Sequence, residues 1–298
     1  MNPFRATVPG NILLLGEYAV LEEGGLGFAL AVEPRVRLEA EPAPTLRVQA
    51  RWPGGSGSPL VDASVACVSE YRGRACTGCL LVDSTDFFSA NGRKSGLGSS
   101  AAVTVALVCG LLRVSGRDHA PRDAASLAVE AHRRAQGGTG SGYDVLASFH
   151  GGAGLFHGGA EPSWETAVLP RGCELSLFPG PAPVSTTEAV GRYQQWKERS
   201  PELARDFLEE SNAAVRAFCA ARSLEQARDS IHACRRIGIE LGRQIGVPAE
   251  MAVPPGLDPA WCKAIGAGNE LGVCLAPAQA GFAPKRVHVA EKGMEWDQ

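Results

Sequence analysis

Several things are missing from this sequence of 298 residues. It has no apolar run of the ~20 residues that a membrane-spanning helix needs; the longest covers residues 101–112. The N-terminus offers a short apolar run at residues 12–15 and no small-residue cleavage signal, which leads us to expect a soluble protein of the cytoplasm. Neither charge dominates: 29 Lys and Arg against 32 Asp and Glu leave a net charge of −3, so no nucleic-acid-binding surface is expected. No Gly-Lys pair occurs, which excludes a Walker-type phosphate loop. Gly-x-Gly-x-x-Gly and His-Glu-x-x-His are also absent. There is no internal repeat and no low-complexity tract. The nine cysteines are scattered through apolar segments. Cys76 and Cys79 have the spacing of a redox or metal pair, but no second close pair and no neighbouring His completes a zinc site. They read as reduced thiols at the entry to a strand.

What is present is glycine, concentrated where chemistry needs backbone. Residues 94–102 read Lys-Ser-Gly-Leu-Gly-Ser-Ser-Ala-Ala and run into an apolar segment, 103–112. Gly96 and Gly98 remove side chains where a backbone must approach something closely. Ser99 and Ser100 stand where a helix begins, as cap or first-turn residues. A helix start presents unpaired N–H groups and a positive dipole end, which suits a phosphate. Two further glycine clusters follow, at 137–142 and at 266–268.

The remaining chain alternates short strands and amphipathic helices. Residues 26–32, 36–41 and 46–52 vary at period two and predict an antiparallel meander. A loop at 53–59, a helix over 60–71 and a strand at 80–82 come next. Pro121 opens a helix whose apolar face is Ala124, Leu127, Ala128, Ala131 and Ala135. A return strand is expected at 151–156, with the domain boundary just beyond it. Strands at 163–169 and 175–179 and helices over 189–198, from Pro201, and from the capping box at Ser223 make up a second α+β region.

The order Gly-Leu-Gly-Ser-Ser-Ala-Ala behind Lys94 resembles the phosphate-binding motif of the GHMP kinases, the small-molecule kinases of galactose, homoserine, mevalonate and phosphomevalonate. Residues 8–21, with Pro-Gly, an apolar strand and Gly16-Glu17-Tyr18, resemble the family's first motif. Residues 83–93 and 131–137 look like its phosphomevalonate branch. Gly266-Ala267-Gly268 resembles the third motif, with Asn269 and Glu270 where further glycines are usual.

The resemblance implies an α+β fold of two domains: a βαβ-type ATP-binding N-terminal domain over 1–157 and a ferredoxin-like C-terminal domain over 158–298. It places the active site between them. It implies transfer of the ATP γ-phosphoryl to a phosphomevalonate-type acceptor, with Mg²⁺. Lys94, Gly96, Leu97, Gly98, Ser99, Ser100 and Ala101 would cradle the nucleotide. Ser99, Ser100 and Glu130 would hold the metal. Asp144 would accept the acceptor's proton. Asn11 stands where the family usually carries a catalytic lysine, and supplies no charge. Glu17, Tyr18, His132, Arg133, Arg134, Ser141, Gly142, Gly266, Ala267 and Gly268 would position the substrate. The expected partner is a small molecule, with no nucleic acid and no membrane, for a monomer or homodimer. The alternatives are mevalonate or another alcohol as acceptor, or a nucleotide- or metabolite-binding protein on the same fold with impaired catalysis.

Overall fold

The computed structural model describes residues 3–52, 58–116, 120–181, 184–276 and 285–297; most of the expected loop at 53–59 lies outside them. The elements in chain order are β1 (Phe4–Leu15), β2 (Leu26–Glu41), β3 (Leu46–Arg51), α1 (Pro59–Arg72), β4 (Gly78–Asp83), α2 (Ser99–Val114), α3 (Pro121–Ala135) and α4 (Tyr143–His150). Then come β5 (Ala153–His157), β6 (Ser163–Ala167), β7 (Ser176–Pro179), α5 (Thr186–Arg199), α6 (Pro201–Ala220), α7 (Leu224–Ile245), β8 (Cys262–Ile265), β9 (Leu271–Cys274), β10 (Lys285–Arg286) and β11 (Glu295–Trp296). No helix among the described residues is long and apolar enough to cross a membrane.

The chain forms two compact units, neither continuous in sequence. The first holds Met1–Ile12, Leu30–Gly152 and Val289–Gln298; the second holds Leu13–Ala29 and Ala153–His288. A single cut near residue 157 therefore describes only the main crossing. The chain changes unit inside β1 and again inside β2, and its last ten residues return to the first unit.

In the first unit the strand order is β11-β1-β2-β4-β3, and α1, α2, α3 and α4 pack on one another. α2 is the hub, burying every residue except Ser100 and Arg113. A helix apolar all round belongs inside a core. α3 begins at Pro121 and buries Ala124, Leu127, Ala128 and Ala131, the face its periodicity predicts. The expected meander is overturned. Residues 26–41 form one strand, and β3 pairs with β4 in parallel, Val48 opposite Leu80. The cause is α1: a helix between two strands carries the chain back so that they align in parallel, a βαβ unit.

In the second unit β7, β8, β9 and β10 form a sheet in the order β10-β7-β9-β8. Helices α5, α6 and α7 pack together, with Tyr193, Trp196, Leu241 and Ile245 in their shared core. Ser223 caps α7 by accepting the Gln226 N–H, and Gly246 ends it in the left-handed conformation.

Candidate functional site

The candidate residues form two groups, one in each unit. In the first unit, Gly98 is the cap of α2 at φ +69°, and Ser99 and Ser100 are its first turn. Gly96 is also left-handed, at φ +76°. Leu97, 2% exposed, anchors the turn in the core, while Lys94 is exposed. The Asn11 N–H donates to the Leu97 carbonyl at 3.0 Å, which stitches the turn to β1. No side-chain cap hydrogen bond is made at the start of α2, and a helix start of that kind has N–H groups to offer an anion.

The Asn11 side chain is buried. Its amide nitrogen donates to the Gly98 carbonyl at 3.2 Å and faces the Ser148 hydroxyl at 3.0 Å. Asn11 is thus a strut from the glycine turn to α4. Both of its amide hydrogens are engaged, which leaves none for a substrate.

α4 carries Asp144 in its first turn. Gly142 at φ +90° caps that helix, and Ser141 is buried beside it. The Val145 N–H donates to Asp144 Oδ1 at 2.9 Å. His132, buried on α3, brings Nδ1 to 3.4 Å from Asp144 Oδ2. Arg133 reaches over the same loop, donating from Nε to the Gly140 carbonyl at 2.9 Å and from Nη2 to the Ser141 carbonyl at 2.8 Å. Burial draws its guanidinium below the usual range, and the nearby Asp144 carboxylate opposes that shift. Asp144 therefore lies beside one fixed positive charge.

Two expected site residues are not brought here. Arg134 forms a fork with Glu70 of α1, with Nη1–Oε1 2.9 Å and Nη2–Oε2 2.8 Å, and also pairs with Glu130. Glu130 is exposed on α3 and engaged by that arginine rather than held at the glycine turn. Among the described residues no group of three His, Cys, Asp or Glu side chains could hold a metal ion. The Ser99 and Ser100 hydroxyls beside an anion site fit Mg²⁺ differently, because that ion keeps several waters and takes substrate phosphates with few protein ligands.

In the second unit, Gly16, Glu17 and Tyr18 turn sharply after β1. Gly16 sits at φ +92°, and a Cβ there would lie 2.1 Å from the Leu26 carbonyl oxygen. Tyr18 has φ +64°, the one positive value for a non-glycine residue among those described. Such a conformation persists only where its surroundings impose it. Here the Tyr18 hydroxyl donates to the Ala267 carbonyl, and its ring lies 5.2 Å from that of Tyr193. Burial raises the Tyr18 phenol, with the Glu17 charge adding to the shift.

Glu17 is paired with Lys263 of β8, a residue that the sequence reading did not single out. Lys263 is 3% exposed and also donates to the Leu14 carbonyl at 3.0 Å and the Ala264 carbonyl at 2.6 Å. The available signal was a lysine within an apolar strand directly before Gly266-Ala267-Gly268. Burial raises the Glu17 carboxyl, and the Lys263 ammonium opposes it. A cleft opens here, lined by Gly16, Tyr18, Cys234, Gly238, Lys263 and Gly266. Gly268 is required by packing, since a Cβ would come within 2.9 Å of Val184. The two departures from the third motif serve its loop: Asn269 donates to the Glu250 carbonyl at 3.0 Å, and Glu270 Oε2 accepts from the Val184 N–H at 3.4 Å.

Residues 84–152, from the loop before the glycine turn to just past α4, match the GHMP kinases N terminal domain. The fold is that of the two-domain GHMP kinases, and the recognition made from the sequence is borne out. A more specific likeness is to phosphomevalonate kinase ERG8 of Gibberella zeae, 28% identical over 201 residues; the match spans 54% of this chain and 45% of that protein, less than half its length. A Lin0012 protein from Listeria innocua superposes with a TM-score of 0.85 at 20% identity, covering 100% of both chains. Streptococcus pneumoniae phosphomevalonate kinase, solved with phosphomevalonate and AMPPNP, superposes with a TM-score of 0.73 at 17% identity, covering 91% of this chain and 92% of that one.

Proposed function

We propose that this protein is an ATP-dependent small-molecule kinase that transfers the γ-phosphoryl group to phosphomevalonate, giving diphosphomevalonate and ADP. The observation that carries the phosphoryl-transfer reading is the frame around Asp144. One side chain, Asn11, bonds the phosphate turn at Gly98 and faces the helix that bears this carboxylate. The likenesses to phosphomevalonate kinases support the choice of acceptor.

In this reading the N–H groups at the start of α2 hold the nucleotide phosphates. Ser99 and Ser100 would hold Mg²⁺, which when bound neutralises phosphate charge. Asp144 faces the attacking oxygen, which for phosphomevalonate belongs to the acceptor's own phosphate; it takes the proton of that oxygen where the phosphate is singly ionised, and the new O–P bond forms as the bond from the γ-phosphorus to ADP breaks. Arg133 supplies beside it the positive charge that Asn11 lacks. Catalysis is then mainly positioning and charge stabilisation. In the second unit, Glu17, Tyr18 and the loop at 266–268 border a cleft of that unit.

One observation favours a second reading, with mevalonate as acceptor. Arg133 and Arg134, expected to meet the acceptor's phosphate, are already engaged by loop carbonyls and by Glu70 and Glu130. The test is Mg²⁺-dependent ADP release from ATP with phosphomevalonate, with mevalonate and without acceptor. Release that requires phosphomevalonate is expected. In Asp144→Asn, kcat should fall about 10²–10⁴-fold with ATP affinity kept. Release with mevalonate alone assigns the second reading. ATP binding without acceptor-dependent release rejects the kinase.

A further inference from the structure

We propose that His132 is the positioning residue for Asp144: it sets the carboxylate's orientation through Nδ1 and does not itself bind the substrate. The inference rests on the reading of Asp144 as the base.

The carboxylate has two oxygens and each meets a different anchor. Oδ1 accepts the Val145 N–H at 2.9 Å, and Oδ2 lies 3.4 Å from His132 Nδ1. Anchors on both oxygens fix both side-chain torsions, whereas the backbone anchor alone leaves the carboxylate free to swing about it. The 3.4 Å contact is long for a hydrogen bond, and such contacts at catalytic groups tighten when the substrate binds.

The other ring nitrogen fixes the tautomer. His132 Nε2 lies 3.3 Å from the Gln136 amide nitrogen, which only donates, so Nε2 accepts and the ring hydrogen belongs on Nδ1. The carboxylate demands the same tautomer, since a lone pair on Nδ1 would face Oδ2. Gln136 is thereby linked to Asp144 through the imidazole, and all of these residues flank one glycine loop. The His132 side chain is only 3% exposed, against 20% for Asp144. The ring is therefore out of an acceptor's reach while the carboxylate is open to it.

The test compares two variants. His132→Asn places an amide nitrogen where Nδ1 stands; His132→Gln reaches the Nε2 position and leaves the Nδ1 position empty. In ADP release with the acceptor found to work, His132→Gln should lower kcat about 10- to 100-fold with an unchanged KM for ATP. His132→Asn should recover most of that loss. Equal losses in both variants, or wild-type kcat in His132→Gln while Asp144→Asn is inactive, overturn the proposal.

A readout without turnover separates this from the base assignment. In protein labelled with nitrogen-15 histidine, the His132 resonance is identified by its absence from His132→Gln. It should report the Nδ1–H tautomer and shift in Asp144→Asn. A His132 ring protonated at Nε2 and indifferent to Asp144→Asn overturns the pairing whatever the kinetics. Full activity of Asp144→Asn with the pairing intact instead removes the base.

Discussion

The glycine turn of the first unit and the Gly16-Glu17-Tyr18 turn of the second are held in shape by different materials. At residues 94–101 the backbone makes the turn: Gly96 and Gly98 take left-handed conformations, Leu97 is buried, and no side-chain hydrogen bond caps the helix that follows. At residues 16–18 side chains make it. A buried ion pair joins Glu17 to Lys263, and the Tyr18 hydroxyl holds the Ala267 carbonyl. The first construction should tolerate changes of charge nearby but no added Cβ. The second should tolerate small changes of shape but no loss of one charge.

The largest expected effect tests the second half of that contrast. Lys263→Met removes one partner of the pair and leaves Glu17 without its counter-charge, a change that typically costs about 3–5 kcal/mol. Denaturant unfolding would measure it. Adding Glu17→Gln should return most of the loss, because replacing both partners by uncharged side chains of similar shape is close to neutral. A double variant no more stable than Lys263→Met would mean that packing, not charge, holds this turn.

The same variant carries a pH signature. The folded Glu17 carboxyl lies above its ordinary value of 4.5 because burial outweighs the ammonium. A raised folded value means that the unfolded chain releases this proton first as pH rises. Glu17's contribution to stability is therefore full below 4.5 and is lost as pH climbs through the folded value. Without Lys263 the folded value rises further. The deficit of Lys263→Met should thus be smallest at the acid end and widen with increasing pH. A deficit independent of pH would assign the loss to something other than the carboxylate.

The next largest effect tests the backbone half. Gly98→Ala puts a Cβ 2.2 Å from the Asn11 amide at φ +69°. Left-handed strain and overpacking together should cost about 2–4 kcal/mol and weaken ATP binding, measured by unfolding and by nucleotide titration. Asn11→Ala in the same chain relieves the overlap but not the φ, so its rescue should be partial. Complete rescue would show that the side chain, rather than the turn, demands glycine.

That contrast also explains what could be read in advance. The start of α2, the buried face of α3 and the cap of α7 are local patterns of a few residues, and local pattern is what a sequence displays. The parallel pairing of β3 with β4 was hidden because period-two alternation is the same in either direction; only α1 between them decides it. Lys263 and Glu17 are 246 residues apart, and nothing local marks either as the other's partner. The motif resemblance pointed to the Asp144 loop. It could not show that Asn11 braces the glycine turn toward α4, or that Arg133 turns into the loop while its neighbour Arg134 turns away. Adjacent positions on a helix face different directions, and tertiary partners choose between them.

The smallest expected effect belongs to Glu130, and it bears on where the metal ligands come from. Its side chain is 50% exposed and bound to Arg134, itself 40% exposed, at the i,i+4 spacing. A solvated pair of this kind contributes about 0.3–0.5 kcal/mol, so Glu130→Gln should leave the protein folded with a nearly unchanged melting temperature. If Ser99 and Ser100 supply the protein's share of the Mg²⁺ ligands, the half-saturating Mg²⁺ concentration for ADP release stays at the wild-type value. If that concentration rises severalfold while stability is intact, the carboxylate must leave Arg134 in the working enzyme. The backbone-built turn would then depend on a side chain after all, and the contrast between the two turns would narrow.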